Sequence, residues 1–137
     1  MRSQRGAALA EFALAWPVAL LIVLSTVEAA VWAAESYAAR AASLAGARAA
    51  SVAGGTAAVA SAVTVRTLTS SLIGAVPIPW CPGDRSSPPK VWVCATDLGQ
   101  SIEVDVGGNA PALVPLADGA GLPLHAHVVL PKEAFAR

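Results

Sequence analysis

A stretch without any charged side chain decides the fold: residues 12–27 read FALAWPVALLIVLSTV. Counted from Ala7, the apolar stretch is about 21 residues long, enough for a helix that rises about 1.5 Å per residue to cross a hydrocarbon core of about 30 Å. One carboxylate, Glu11, lies inside it. Because an ionised side chain costs about 2.5–3.5 kcal/mol at the centre of a membrane helix, this glutamate predicts a partner of opposite charge.

Basic residues flank the apolar stretch unevenly. Arg2 and Arg5 come before it, and the next basic residue along the chain is Arg40. The positive-inside rule therefore predicts a single-pass protein of the cell membrane, with a cytoplasmic N-terminus and an extracytoplasmic C-terminal region. Two other interpretations of the stretch stay open: a secretory signal cleaved near the small residues 29–34, and a plain signal anchor.

The composition of the whole chain agrees with a membrane location. Of its 137 residues, 55% are hydrophobic and 13% are charged, with nine basic and nine acidic side chains. The mean hydropathy is +0.60. Such a chain is too apolar and too neutral to be disordered. It also lacks the positive net charge typical of nucleic-acid-binding domains, so no nucleic-acid partner is expected.

The residues around Glu11 form a specific pattern. Residues 4–14 read QRGAALAEFAL, in which a short basic leader ends at Gly6 and the glutamate follows five residues later. This pattern resembles the class III signal of prepilins and pseudopilins. It is most similar to the TadE-like minor pilins of the tight-adherence (Tad/Flp) type IV pilus system, which have a proline at the position of Pro17. Residues 38–50, AARAASLAGARAA, are similar to the Ala-rich stretch that follows the span in this family.

The resemblance implies how the chain is processed and assembled. A prepilin peptidase would cut the Gly6–Ala7 bond on the cytoplasmic side and remove the leader, residues 1–6. Glu11 would then pair with the new α-amine of a neighbouring subunit, and Pro17 would kink the helix for packing in the filament. The implied partners are the peptidase, other pilin or pseudopilin subunits, the Tad assembly platform and the lipid bilayer.

The sequence predicts three parts after the leader. A membrane helix over residues 7–34 continues into a helical stalk over residues 35–73, which breaks at residues 54–55 before Thr56 caps a second helix. The Val and Thr residues of 56–73 also permit a strand there. Residues 74–137 are rich in Pro and Gly and form an extracytoplasmic head. Alternating apolar residues predict three strands in this head, at residues 90–96, 101–106 and 124–130. The expected fold class is α+β and pilin-like, a long N-terminal helix packed with a small antiparallel sheet.

The stalk combines small residues with isolated charges. Glycine at position 46 among many alanines favours close helix packing, which we expect between copies of the chain. The charged side chains of residues 27–52 are expected to face water and keep this stretch soluble, with Glu35 near the point where the helix leaves the lipid: Glu28, Glu35, Arg40 and Arg48.

Both cysteines, Cys81 and Cys94, lie in the predicted head. In an oxidising compartment their separation predicts a disulfide worth about 3 kcal/mol by loop closure. A zinc site made of these cysteines with His125 and His127 is the alternative, but neither histidines nor cysteines have the spacing typical of zinc ligands. We therefore expect the disulfide, with both histidines on the surface of a strand.

No catalytic motif is present in the sequence, which contains no Walker-type phosphate loop, no GxSxG elbow and no HExxH motif. The acidic residues of the head are scattered and predict a solvated surface: Asp84, Asp97, Glu103, Asp105 and Asp118. We expect no enzyme activity, no cofactor and no metal. The predicted function is that of a minor pilin or pseudopilin in pilus assembly and adhesion. The alternative is a single-pass membrane-anchored extracytoplasmic binding domain that does not polymerise.

Overall fold

The computed structural model describes residues 3–52, 54–112 and 121–133, with side chains from residue 11 onward. Two helices, α1 (Ser3–Ser51) and α2 (Ala57–Thr69), precede four strands. The strands are β1 (Ile78–Pro79), β2 (Val91–Asp97), β3 (Ser101–Ala110) and β4 (Leu122–Pro131). The fold class is α+β, with a long N-terminal helix and a small sheet, as the sequence predicts.

Helix α1 runs without interruption from the apolar stretch into the Ala-rich stalk, because alanine is the strongest helix former and no proline follows Pro17 in the helix. It ends at Ser51, shortly before Gly54, whose φ of 80° is in the left-handed region. Thr56 then caps α2 as predicted. Its hydroxyl accepts a hydrogen bond from the Val59 N–H at 3.4 Å.

Helix α2 ends at Thr69, before the predicted end at residue 73. The hydroxyls of Ser70 and Ser71 both donate to the carbonyl oxygen of Thr67, at 2.8 and 3.2 Å. Local hydrogen bonds of this kind compete with the backbone bonds that would continue a helix. The run of Ser and Thr residues therefore stops the helix one turn early.

The four strands form one sheet in the order β1-β2-β3-β4. The pairs β2–β3 and β3–β4 are antiparallel, whereas β1 pairs with β2 in parallel. The predicted antiparallel sheet is therefore corrected to a mixed one. Strand β1 has two residues inside a Pro-rich loop, which is too short for an alternating pattern to be recognised in the sequence.

Strand β3 extends to Ala110, beyond the predicted end at residue 106. Glycines 107 and 108 suggested a strand end, but they lie where β2 approaches closely. A Cβ atom at Gly107 would overlap the ring of Trp92, and one at Gly108 would overlap the carbonyl oxygen of Lys90. Both glycines therefore permit close strand packing and do not end the strand.

The core lies between the helices and one face of the sheet. Helix α1 contributes mostly alanines that lie on one face of the helix, and the strands contribute alternate aliphatic side chains. The buried apolar residues of α1 and the sheet include Ala39, Ala42, Ala47, Ala50, Val91, Val93, Ile102, Val104, Val106, Leu124 and Ala126. Because side chains alternate along a strand, the residues between them face away from the helices and form the outer face of the sheet.

A salt bridge joins the β2–β3 turn to the end of β4. Lys132 Nζ lies 2.6 Å from Asp97 Oδ2, and the Gly99 N–H donates to Asp97 Oδ1 at 2.8 Å. The hydrogen bond from Lys132, followed by the one from Gly99, lowers the pKa of Asp97 below its ordinary value. The ionised form of Asp97 therefore stabilises the contact between the β2–β3 turn and the end of β4.

We expect the contribution of Asp97 to stability to disappear in acid. A carboxylate with a lowered pKa stabilises the folded state above its unfolded pKa of about 3.9, and this contribution is lost as the pH falls through the folded pKa. Asp97→Asn should therefore unfold more easily than the wild type near pH 7, and the difference should shrink below about pH 4. Chemical denaturation of both proteins across this pH range measures the difference in their free energies of unfolding. A difference that stays constant down to about pH 2 contradicts the prediction.

Candidate functional site

The first part of helix α1 is exposed along its length, and we call residues 11–34 the projecting segment, which meets β4 at its end through Trp32. None of its side chains is buried, and Leu14 is 74% exposed. The exposed residues from Leu20 to Leu24 are consecutive, so they cover the whole circumference of the helix.

A helix that is apolar on every side requires an apolar environment. The projecting segment is about 36 Å long at about 1.5 Å per residue, which exceeds a hydrocarbon core of about 30 Å. Helix α1 is long and apolar enough to cross a membrane. No residue of its most apolar part is buried inside the protein. It is therefore a candidate single membrane span.

The residues predicted for processing and assembly lie at the start of α1. Gly6 and Ala7 belong to this helix, and their side-chain surroundings lie outside the described part of the structure. Glu11 is exposed and has no hydrogen-bonding or ionic partner among the described residues. Helix α1 continues on both sides of Pro17. The chain therefore leaves the carboxylate of Glu11 accessible to a charged group from another molecule.

Glu35, the first residue after the projecting segment, is buried and 4% exposed. The Glu35 carboxylate accepts a hydrogen bond from the Ile73 N–H at 3.1 Å, so the segment after α2 covers it. One turn earlier, Trp32 Nε1 donates to the carbonyl oxygen of Pro123 at 2.9 Å. The prediction that Glu35 faces water is wrong. Instead, two polar contacts attach the head to the helix where the apolar surface ends.

Gly46 sets the distance between the two helices. A Cβ atom at this position would overlap Thr64 Oγ1 and lie 2.6 Å from the carbonyl oxygen of Ala60. The Thr64 hydroxyl donates to the same Ala60 carbonyl at 2.8 Å, so this buried polar group is satisfied within α2. Gly46 therefore packs against α2 of its own chain, where the sequence suggested packing between copies.

Cys81 and Cys94 are bonded to each other, with their Cα atoms 4.7 Å apart. The predicted disulfide is present, and the zinc alternative is wrong because neither sulfur is free to bind a metal. The bond fixes the Pro-rich loop to β2. Next to it, the ring of Trp80 meets the ring of Trp92 edge-on at 5.7 Å. Asp84 accepts a hydrogen bond from the Cys81 N–H at 3.1 Å, which closes the turn between them.

Three polar side chains meet on the outer face of the sheet, and we call Glu103, Asp105 and His127 the outer cluster. His127 Nδ1 lies 2.6 Å from Asp105 Oδ1 and 3.6 Å from Glu103 Oε1. The hydrogen bond with Asp105, together with the charges of both carboxylates, raises the pKa of His127 above its ordinary value. His125 and His127 are both exposed on β4, as predicted.

The prediction of scattered acidic residues is wrong for the outer cluster. Glu103 and Asp105 alternate with apolar residues in the sequence, which already places them on one face of a strand. Their histidine partner depends on the register of β3 and β4, in which Asp105 is directly opposite His127. That register could not be read from the sequence. Asp118, the other acidic residue between these strands, lies outside the described residues.

Comparison of the chain with protein-family models, with curated proteins and with solved structures finds no match. Two features of the chain point to a function. One is the sequence pattern that joins Gly6 to Glu11, and the other is the geometry of the projecting segment.

Proposed function

We propose that the chain is a minor pilin or pseudopilin of a Tad-type type IV pilus, a subunit without catalytic activity that acts in pilus assembly and adhesion. The observation that carries the proposal is the division of α1 into an exposed apolar half and an Ala-rich half packed under the sheet. A subunit of this kind requires both halves. The apolar half lies in lipid and then against neighbouring helices, while the packed half connects it rigidly to the head.

The proposed subunit is inserted with its N-terminus in the cytoplasm and its head outside. Arg2 and Arg5 support this orientation because positive charges stay on the cytoplasmic side. The disulfide between Cys81 and Cys94 fits an oxidising compartment for the head. Trp32, at the end of the projecting segment, is the residue type preferred where a membrane meets water.

In the proposed mechanism, a prepilin peptidase cuts after Gly6 and leaves an α-amine on Ala7. An amine of this kind has an ordinary pKa of about 7.7–8.0, so it is mostly positive at neutral pH. Glu11 of a neighbouring subunit is the opposite charge available to it. Because an unpaired charge is costly in an apolar medium, the pair fixes the position of one helix against the next more than it adds net stability.

We expect Glu11→Leu to enter the membrane at least as well as the wild type and to fail in assembly. The substitution removes an insertion cost of at most about 2.5–3.5 kcal/mol, the value for a charge at the centre of a membrane helix. It also leaves the amine of a neighbour unpaired, and breaking a buried ion pair costs about 3–5 kcal/mol, so the yield of assembled subunit should fall at least about tenfold. Crosslinking of the membrane-embedded chain to other pilin subunits measures the yield.

Two variants serve as controls for this experiment. Glu11→Asp keeps the carboxylate and should assemble better than Glu11→Leu, whereas Phe12→Leu changes the adjacent exposed residue and should assemble like the wild type. If Glu11→Leu crosslinks as well as the wild type, the pairing mechanism fails. If the wild type stays in the membrane and never contacts other pilins, the chain is an anchored binding domain.

A further inference from the structure

The outer cluster brings one imidazole nitrogen and two carboxylate oxygens to one point on an exposed sheet. One ligand atom from each of Glu103, Asp105 and His127 lies within 4.8 Å of the other two. Asp105 and His127 are direct neighbours across β3 and β4, and Glu103 is two residues from Asp105 on the same face. We propose that these three side chains bind a divalent metal ion of the Zn²⁺ type.

The distances suit such an ion. Zn²⁺ binds histidine nitrogen and carboxylate oxygen at about 2.0–2.2 Å, so two tetrahedral ligand atoms are about 3.4 Å apart. His127 Nδ1 and Glu103 Oε1 are already 3.6 Å apart. His127 Nδ1 and Asp105 Oδ1 share a hydrogen bond at 2.6 Å, and an ion would replace its proton after a small rotation of the side chains. No movement of the strands is needed.

The two carboxylates of the cluster favour a cation, and the side chain of Arg40, which lines a groove together with His127, pairs with neither of them. No lysine or arginine pairs with Glu103 or Asp105 among the described residues, so a single titratable histidine faces two carboxylates. The nearest lysine beyond β4, Lys132, is paired with Asp97. A divalent ion would balance the two negative charges and remain bonded to a neutral imidazole.

The choice of metal follows from the ligands. Imidazole together with carboxylate suits borderline ions such as Zn²⁺, whereas Ca²⁺ takes six to eight oxygen ligands, about twice as many as the cluster provides. The three side chains are partly exposed, at 47% for His127, 28% for Glu103 and 27% for Asp105. An ion therefore has direct access from solvent, and water completes its coordination. The strands position the ligands, and the disulfide at Cys94, opposite Asp105 on β2, supports them.

The test is a calorimetric titration of the untagged full chain in detergent with Zn²⁺ alone. We expect one ion per chain. His127→Gln should weaken binding at least about tenfold, because even the loss of an outer-shell partner costs about 10–100-fold in metal affinity. Glu103→Gln should also weaken Zn²⁺ binding. Because it changes a different side chain, weaker binding by both variants does not come from a folding defect that only His127→Gln has.

His125→Gln is the matched control, since His125 is exposed on the same strand two residues away and does not belong to the cluster. It should bind Zn²⁺ like the wild type, and an excess of Ca²⁺ should not displace the ion. The proposal is overturned if the wild type binds no more Zn²⁺ than His127→Gln. It is also overturned if His125→Gln loses as much affinity as His127→Gln. Neither result depends on whether the chain is a pilin.

Discussion

Gly46→Ala lowers the free energy of unfolding of the protein by about 2 kcal/mol net, because overpacking so tight a contact between α1 and α2 costs about 3 kcal/mol or more. The added methyl group would overlap Thr64 Oγ1 and lie 2.6 Å from the Ala60 carbonyl oxygen. Since that carbonyl belongs to the backbone of α2, the two helices must separate to accommodate the methyl group. Replacing glycine by alanine in a helix gains about 1 kcal/mol in propensity, which offsets only part of this cost.

Thermal unfolding of the purified chain measures the effect of Gly46→Ala. A loss of this size should lower Tm by about 4–8 °C for each kcal/mol in a domain of about 60–100 residues. Ala41→Leu is the control, because Ala41 is exposed on the same helix and its substitution should change stability by less than about 0.5 kcal/mol. If Gly46→Ala is as stable as the wild type, α1 and α2 are not in direct contact at Gly46, and the prediction is wrong.

Removing the disulfide should cost about 3 kcal/mol, the value expected for closing a loop of about 15 residues. Cys81 and Cys94 are separated by 13 residues. The bond holds the Pro-rich loop, which contributes the two-residue strand β1, against β2. The variant with alanine at both positions should therefore lose about 12–24 °C in Tm.

Reduction gives an internal control for the disulfide. A thiol reductant should lower the Tm of the wild type toward that of the double-alanine variant, and it should leave the variant itself unchanged. An unchanged Tm in both the variant and the reduced wild type would show that the loop is held by other contacts. Recovery of two free thiols from the exported protein would mean that the bond does not form in cells.

The features predicted correctly from the sequence are those set by local chemistry. The helix follows from an apolar stretch that continues into an alanine-rich one, and the cap at Thr56 follows from its position after two glycines. The disulfide follows from having two cysteines in a head expected outside the cell. None of these needed knowledge of which distant segments meet.

Most of the features that were missed, apart from the early end of α2 and the short strand β1, depend on contacts between distant residues. Glu35 resembles a solvated charge in the sequence and is buried only because the backbone at Ile73 covers it. Gly107 resembles a strand end and lies inside β3 because the Trp92 ring occupies the space of its side chain. The outer cluster likewise depends on the register that pairs Asp105 with His127. Strand register and helix crossings are set by packing, which local patterns do not contain.

The proposal that this chain is a processed pilin subunit is tested most directly by the N-terminus of the protein extracted from membranes. Mass spectrometry of cells with a working prepilin peptidase should find a chain that begins at Ala7. Removal of the peptidase, or the substitution Gly6→Leu, should leave residues 1–6 attached. A chain that begins at Met1 or Arg2 in cells with the peptidase would contradict the pilin assignment. A chain that begins beyond residue 30 and is free of membrane would identify the apolar helix as a secretory signal.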